Sequence, residues 1–186
     1  MRRQKNLRGG FLIILAFLLA AGSLAAGEGL WLDVPYIHQE KDGCGSASVG
    51  MVMQYWAEKH AAISVERSDV SRIQKELYSR KARGIYASAI EKYLRASGFE
   101  VFAFRGVWKD LREQVEKGRP LIVALEPGRG AALHYVVLVG IAPGDAGVLL
   151  NDPARSKLLR VDREEFTQEW HGAGDWTLLA VPKQTQ

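Results

Sequence analysis

Apolar and polar positions follow two different periods along this chain, and the change of period divides it into two parts. In the first part, apolar residues recur every three or four positions, which predicts a helix over residues 46–59. Residues 63–80 predict a second helix or a pair of helical turns. An amphipathic helix begins near Tyr86 and ends before Gly98, and residues 32–37 form a short extended segment ahead of all three.

The second part of the chain is dominated by strand patterns. Residues 133–142 and 147–154 predict a pair of strands joined by PGDAG, which has turn chemistry. A short helix over residues 162–170 has Asp162 as its N-cap and Glu165 three residues later, as in a capping box. The remaining elements are strands at 99–106, 119–126, 157–161 and 175–182, and a helix at 108–118.

The order of these elements predicts the fold class. Helices come first and antiparallel strands follow, which indicates an α+β fold with N-terminal helices packed on a C-terminal antiparallel sheet, rather than a doubly wound parallel sheet. Residues 27–186 contain no repeat, low-complexity segment or interior linker, and we interpret them as one domain.

Residues 1–26 have a different composition from the rest. Four basic residues and no acidic one precede the uninterrupted apolar run FLIILAFLLAA, and small residues follow it. This order is typical of a secretory signal peptide, with cleavage near Ala25 or Ala26, and an uncleaved N-terminal membrane anchor is the alternative. No cysteine stands directly after the run, where a lipid would be attached, which argues against a lipid anchor. We therefore expect an exported protein, periplasmic or extracellular, that associates with the membrane if the segment is retained.

The excess of basic residues belongs to this leader. The chain has 25 Lys and Arg and 21 Asp and Glu, a formal net charge of +4. Because the four basic residues of the leader account for that excess, residues 27–186 are close to neutral. The charge therefore gives no reason to expect a nucleic-acid partner.

Cys44 is the single cysteine, and in an exported chain it is buried, paired with another chain, or kept as a reactive thiol. It stands between Gly43 and Gly45 at the start of the first predicted helix. The helix dipole and the unpaired N–H groups at that position favour the thiolate, which is the nucleophilic form. When Cys44 is considered without any other residue, a buried and unreactive thiol remains the more frequent interpretation.

Three further residues supply the groups that a thiol nucleophile requires. His134 begins a strongly apolar strand, and Asp152 ends the strand that is predicted to pair with it, so both lie at the same end of one hairpin. An acid there can fix the imidazole tautomer and stabilise imidazolium. Gln39, five residues before Cys44, can donate to an oxyanion. His171 and Asp175 are interpreted instead as part of a surface turn.

In this combination and order, the chain resembles the C39 family of papain-like cysteine peptidases. QEKDGCGSAS resembles the family's Gln-x-x-x-x-Asp-Cys-Gly signature, with Gly43 added between the acid and the cysteine. LHYVVLVGI and LLNDPA resemble its His-Tyr-Val-Val and Asp-Pro motifs. The resemblance implies a papain-like fold with Cys44 as nucleophile, His134 as base, Asp152 as the orienting acid and Gln39 as oxyanion donor.

The resemblance and the missing motifs define the partners that we expect. Well-known members of the family cut bacteriocin leaders after Gly-Gly and are fused to an ATP-binding cassette exporter. This chain has no GxxxxGK[ST] loop and no HExxH spacing, so we expect neither an ATP site nor a metal, and no cofactor. It is more similar to the stand-alone, exported members. We expect a peptide or protein substrate; the alternatives are a non-catalytic peptide-binding module and a papain-like acyl transferase or amidase on the same fold.

Overall fold

A computed structural model describes residues 29–60 and 63–183. The segment interpreted as a signal peptide or anchor, residues 1–26, lies outside this range, so its role and the domain boundary at residue 27 stay predictions. Within the described part of the chain, no helix has both the length and the apolar character that a membrane span requires.

The first helix, α1 (Cys44–Ala57), is buried on nearly all of its surface. This burial follows from its composition, because small residues (Ala47, Ser48, Gly50) let neighbouring elements approach closely while larger apolar ones fill the space between them. Gly50 has no room for a side chain, since a Cβ there would lie 2.6 Å from Val70.

Two shorter helices pack beside α1. The region predicted as a helix or two helical turns contains a 3₁₀ turn at Glu66–Ser68 and helix α2 (Val70–Leu77). The predicted amphipathic helix is α3 (Ala87–Ala96), and Gly98 follows it with φ of +93°. That positive φ is the reason why a glycine ends this helix.

The sheet contains seven strands in the described residues. The strands are β1 (Leu30–Trp31), β2 (Phe99–Arg105), β3 (Leu121–Leu125), β4 (His134–Ile141), β5 (Gly147–Asn151), β6 (Leu159–Asp162) and β7 (Trp176–Pro182). They follow the order β2-β7-β3-β4-β5-β6, with β1 paired to β4 beyond the end of β3, and all neighbours are antiparallel.

Each face of the sheet carries its own hydrophobic core. On β4, Tyr135, Val137 and Val139 face the core formed with α1 to α3, whereas Val136 and Leu138 face the opposite core. This alternation is the period of two that a strand imposes. Because both faces are covered, β3 and β4 are apolar almost without interruption.

The second core is covered by two helices that lie between strands in the sequence, α4 (Trp108–Glu116) and α5 (Arg163–Gly172). The α+β class and the packing of the N-terminal helices on an antiparallel sheet are therefore confirmed, and α4 and α5 add a third layer on the other face.

One local prediction is wrong. Asp162 is the N-cap of α5, but its side chain makes no capping hydrogen bond, so the predicted capping box does not form. The first strand is Leu30–Trp31, and residues 32–37, which the sequence predicts to be extended, follow it outside any strand. Leu32 at their start still donates its backbone N–H to the carbonyl oxygen of Val139 in β4 at 2.8 Å.

Phe166 lies at the centre of the second core. It is fully buried and stacks on Trp170, with Trp108 at its edge. We expect Phe166→Ala to lower the free energy of unfolding by about 3–5 kcal/mol, measured by urea denaturation, because it leaves a large cavity. The matched control is Phe102→Ala on β2, where the ring is 51% exposed and the loss should stay below about 1 kcal/mol. Equal losses for the two variants would contradict this assignment of the core.

Candidate active site

The N-terminus of α1 opens into a cleft, and Cys44 is its first residue. The turn before it is tight: Asp42 has φ of +57°, and a Cβ on Gly43 would lie 2.9 Å from the carbonyl oxygen of Glu40. Among the described residues, no side chain caps this end of the helix. The backbone N–H groups of its first turn therefore remain available beside the thiol.

Packing of α1 on β4 brings the histidine to the thiol. Ser48, one turn into the helix, donates its hydroxyl hydrogen to the carbonyl oxygen of Tyr135 at 3.1 Å. Tyr135 directly follows His134 on β4, so this bond joins the first turn of α1 to the start of the strand. This packing places His134 beside the Cys44 thiol, close enough for the imidazole to shift the pKa of the thiol.

The hairpin of β4 and β5 brings Asp152 to the other side of the same imidazole. The Nε2 atom of His134 lies 2.7 Å from Oδ1 of Asp152, which directly follows β5. The backbone N–H of Ala154 donates to the same carboxylate oxygen at 2.9 Å. Because Nε2 is engaged by the carboxylate, Nδ1 is the nitrogen left for the thiol.

These contacts set the charges of the three groups. Burial opposes ionisation of Cys44, but hydrogen bonds from His134 and the Tyr135 backbone, together with the charge of His134, bring the pKa of the thiol below its ordinary value. Burial likewise opposes the charged form of His134, yet its hydrogen bonds to Asp152 and Cys44 raise its pKa to about 9. The pKa of Asp152 is lowered, because its bond to His134 outweighs its burial. His134 is therefore an imidazolium at neutral pH, and its charge shifts Cys44 toward the thiolate.

Gln39 also lines the cleft. Its Oε1 atom is buried and has no hydrogen-bond partner among the described residues. A half-turn of the side-chain amide exchanges its oxygen and its NH₂ group, so the same end can present a donor to an incoming oxygen. The arrangement therefore leaves one unpaired amide group close to the thiol.

The cleft has a volume of about 420 Å³ and extends past His134 toward α5. Its floor is apolar, with Leu125, Leu150 and Val161 contributing side chains from three neighbouring strands. Glu165 and Glu169 of α5 form the far wall. Burial and the nearby charge of Glu165 raise the pKa of Glu169. This volume and mixture of apolar and polar groups suit an extended peptide with side chains of both kinds.

The structure thus brings all four residues predicted from the sequence, Gln39, Cys44, His134 and Asp152, into one cleft. Sequence analysis did not identify the glutamates of α5 as cleft residues. The only sequence signal was their spacing of four along a helix, which places them on one face but not against a cleft.

His171 and Asp175 lie elsewhere. Their side chains bond to each other at the turn before β7, and Asp175 also contacts Arg105 at 3.1 Å. His171 is exposed at the end of α5, as the predicted surface turn implies, whereas Asp175 is buried. Across residues 29–60 and 63–183, no three His, Cys, Asp or Glu side chains are grouped so as to hold a metal ion.

Comparison with solved structures identifies the class of fold. One similar structure is a Bacillus anthracis protein described as a C39-like peptidase. Its TM-score is 0.63, with 21% identity, and the alignment covers 86% of this chain and 100% of that one. Another is the peptidase domain of Streptococcus ComA, a bifunctional ABC transporter of a quorum-sensing pathway, with a TM-score of 0.62 and 21% identity over 80% of this chain and 98% of that one. At these identities the likeness establishes a papain-like peptidase fold.

A third similar structure is the double-glycine-motif protease of an AMS/PCAT transporter in complex with its leader peptide. Its TM-score is 0.60, with 23% identity over 82% of this chain and 94% of that one. Comparison with curated protein sequences gives no match.

The family model described as Peptidase_C39 like family matches residues 31–177. This match covers most of the chain, and the chain therefore belongs to that family. Membership places it in a family of cysteine peptidases.

The pKa shifts predict how Cys44 reacts. Since the thiol pKa lies below its ordinary value of about 8.5, the thiolate persists as the pH falls toward that lowered pKa. We expect iodoacetamide to alkylate native Cys44 at pH 7 and below, measured by intact mass. His134→Ala should slow the reaction at pH 6–7 by about tenfold or more, because it removes the hydrogen bond and the charge that favour thiolate. Alkylation that appears only in denaturant would show an inert buried thiol.

Proposed function

We propose that this protein is a cysteine endopeptidase that hydrolyses a peptide bond through an acyl-enzyme on Cys44. The observation that carries the proposal is the series Cys44–His134–Asp152 at the start of α1, in which His134 is hydrogen-bonded to Asp152 and shares one cleft with Cys44. Nucleophile, base and orienting acid are each within reach of the next, which is the arrangement that thiol catalysis requires.

Acylation begins with attack of the Cys44 thiolate on the scissile carbonyl carbon. The C–S bond forms as the carbonyl π electrons move to oxygen. His134, as imidazolium, then donates its proton to the leaving nitrogen, the C–N bond breaks, and an amine departs while a thioester remains. Asp152 accepts from Nε2 of His134, keeping the ring oriented and its positive charge stabilised.

The oxyanion of the tetrahedral intermediate has two donors. One is the backbone N–H of Cys44 at the uncapped start of α1. The other is the side-chain amide of Gln39, whose buried end has an unpaired atom in the cleft. The first donor is fixed by the helix before the substrate arrives, and the second presents its NH₂ group after a half-turn of the amide; both stabilise the developing charge.

Deacylation uses the same groups in reverse. Neutral His134 removes a proton from water, the hydroxide attacks the thioester carbon, and the Cys44 thiolate leaves. The product departs as a carboxylic acid, which loses its proton to water, and the imidazolium–thiolate pair is restored. No metal or cofactor takes part in either half of this reaction.

The proposed substrate is a peptide or an unfolded protein segment. The bound leader peptide of the similar transporter protease supports this class of ligand for the fold. The leader-like residues 1–26 support a site of action outside the cytoplasm, with the segment either cleaved or retained as an anchor.

Loss of the nucleophile gives the direct test. We expect Cys44→Ala and His134→Ala each to abolish cleavage, measured by comparing protein N-termini in cells that carry wild-type or variant protein. His171→Ala is the matched control, because that histidine lies in the last turn of α5 and is not among the residues that line the cleft, so its loss should leave the N-termini unchanged. Identical N-termini in wild-type and Cys44→Ala cells would exclude peptidase activity.

Gln39 provides a second test. Gln39→Ala removes one oxyanion donor and should lower kcat on a substrate found in this way by about 10²–10³-fold, with little change in KM. The alkylation rate of Cys44 should stay the same, since Gln39 is not among the groups that shift its pKa. An unchanged kcat would remove Gln39 from the oxyanion site.

A further inference from the structure

The oxyanion donor Gln39 lies in a segment that has no regular structure. Residues 32–43, between β1 and α1, form neither helix nor strand. Such a segment has no hydrogen-bond ladder of its own, so its shape depends on what it contacts. Leu32 at its start donates to Val139 of β4, and the partner of the residues from Val34 to Gln39 is the turn at the end of β5, residues 151–158, which carries Asp152.

Asn151 makes the innermost link between the two segments. It is fully buried, and its Nδ2 donates to the carbonyl oxygen of Val34 at 3.0 Å. Its Oδ1 accepts from the backbone N–H of Leu158 at 3.0 Å, at the far end of the same turn. One amide group therefore ties the segment of Gln39 to both ends of the turn that carries Asp152.

Two further bonds lie closer to the chemistry. The hydroxyl of Tyr36 donates to the backbone carbonyl oxygen of Asp152 at 3.1 Å. The backbone N–H of Gln39 itself donates to the carbonyl oxygen of Pro153 at 2.8 Å. Each of the three links joins residues more than 100 positions apart in sequence, so no local preference could produce them.

We propose that Asn151 and Tyr36 are positioning residues that hold the Gln39 amide at a fixed distance from the catalytic pair. Neither side chain touches the reacting atoms; both act through Gln39. Asp152 extends directly from β5, whereas the Gln39 segment depends on these bonds, so Gln39 is the group that moves when they are lost. The inference rests on the proposed peptidase function.

Tyr36→Phe is the sharpest variant, because it removes one hydroxyl and leaves the ring in place. We expect kcat to fall by about tenfold with KM unchanged, since a small misplacement of an oxyanion donor weakens the transition state alone. The pH dependence of Cys44 alkylation should not change, because His134 and Asp152 keep their geometry. Asn151→Leu should have a larger effect on kcat, but it also leaves the Val34 carbonyl oxygen and the Leu158 N–H without their hydrogen-bond partner and destabilises the fold.

A double-mutant cycle with Gln39→Ala separates positioning from general damage. If Tyr36 acts through Gln39, Tyr36→Phe should lower kcat by less than about twofold once Gln39 is already Ala. Lys157→Met is the matched control: Lys157 bonds to Asp33 at 2.7 Å between the same two segments, but both side chains are exposed, and kcat should be unchanged.

Hydrogen exchange gives a readout that does not need turnover. The backbone N–H of Gln39 should be protected in the wild type and exchange at least about tenfold faster in Tyr36→Phe, while the β4 amides remain protected. Three results would each overturn the positioning role. They are kcat losses of Tyr36→Phe and Gln39→Ala that multiply in full in the double variant, a shift in the pH dependence of Cys44 alkylation in Tyr36→Phe, and unchanged exchange of the Gln39 N–H in that variant. A wild-type protein that cleaves no peptide but shows the faster Gln39 exchange in Tyr36→Phe would instead refute the proposed function and leave the link intact.

Discussion

The packing of α1 against β4 is the contact on which the site depends. Cys44 is the first residue of the helix and His134 the first of the strand, so the two meet only while these buried elements keep their relative position. The bond from Ser48 to the Tyr135 carbonyl fixes that position one turn from the thiol. Apolar burial on both faces of β4 makes the contact rigid.

The electrostatics follow from that geometry. Partial burial disfavours each charged group by itself, but opposite charges and hydrogen bonds within the series compensate for lost hydration. The hairpin of β4 and β5 makes this compensation available, since it places Asp152 on the side of the imidazole that faces away from Cys44. The fold therefore gives a single cysteine the surroundings of a nucleophile, although isolated buried cysteines are usually inert.

Much of the fold and of the candidate site could be predicted from the sequence, because the strongest signals are local. Helical and strand periods place nearly every element, and PGDAG marks the hairpin that brings His134 to Asp152. Strand order could not be predicted: β7, the last strand, lies between β2 and β3, a position set by tertiary packing alone.

The residues that sequence analysis missed depend on long-range contacts. Tyr36 and Asn151 carry no motif, and their importance appears only through bonds to residues more than 100 positions away. Glu165 and Glu169 are ordinary surface residues of an amphipathic helix until α5 is placed against the cleft. The candidate catalytic residues could therefore be recognised in the sequence from their types and order, whereas the residues that support them could not.

The central claim is that the fold holds an imidazolium at His134 at neutral pH, and that this charge favours the thiolate of Cys44. The most direct measurement is a ¹⁵N NMR titration of the His134 ring between pH 5 and 10, assigned by comparison with His134→Ala. The account predicts that the ring is protonated at pH 7 and loses its proton near pH 9. A ring that is already neutral at pH 7, with a pKa near the ordinary 6.5, would contradict it.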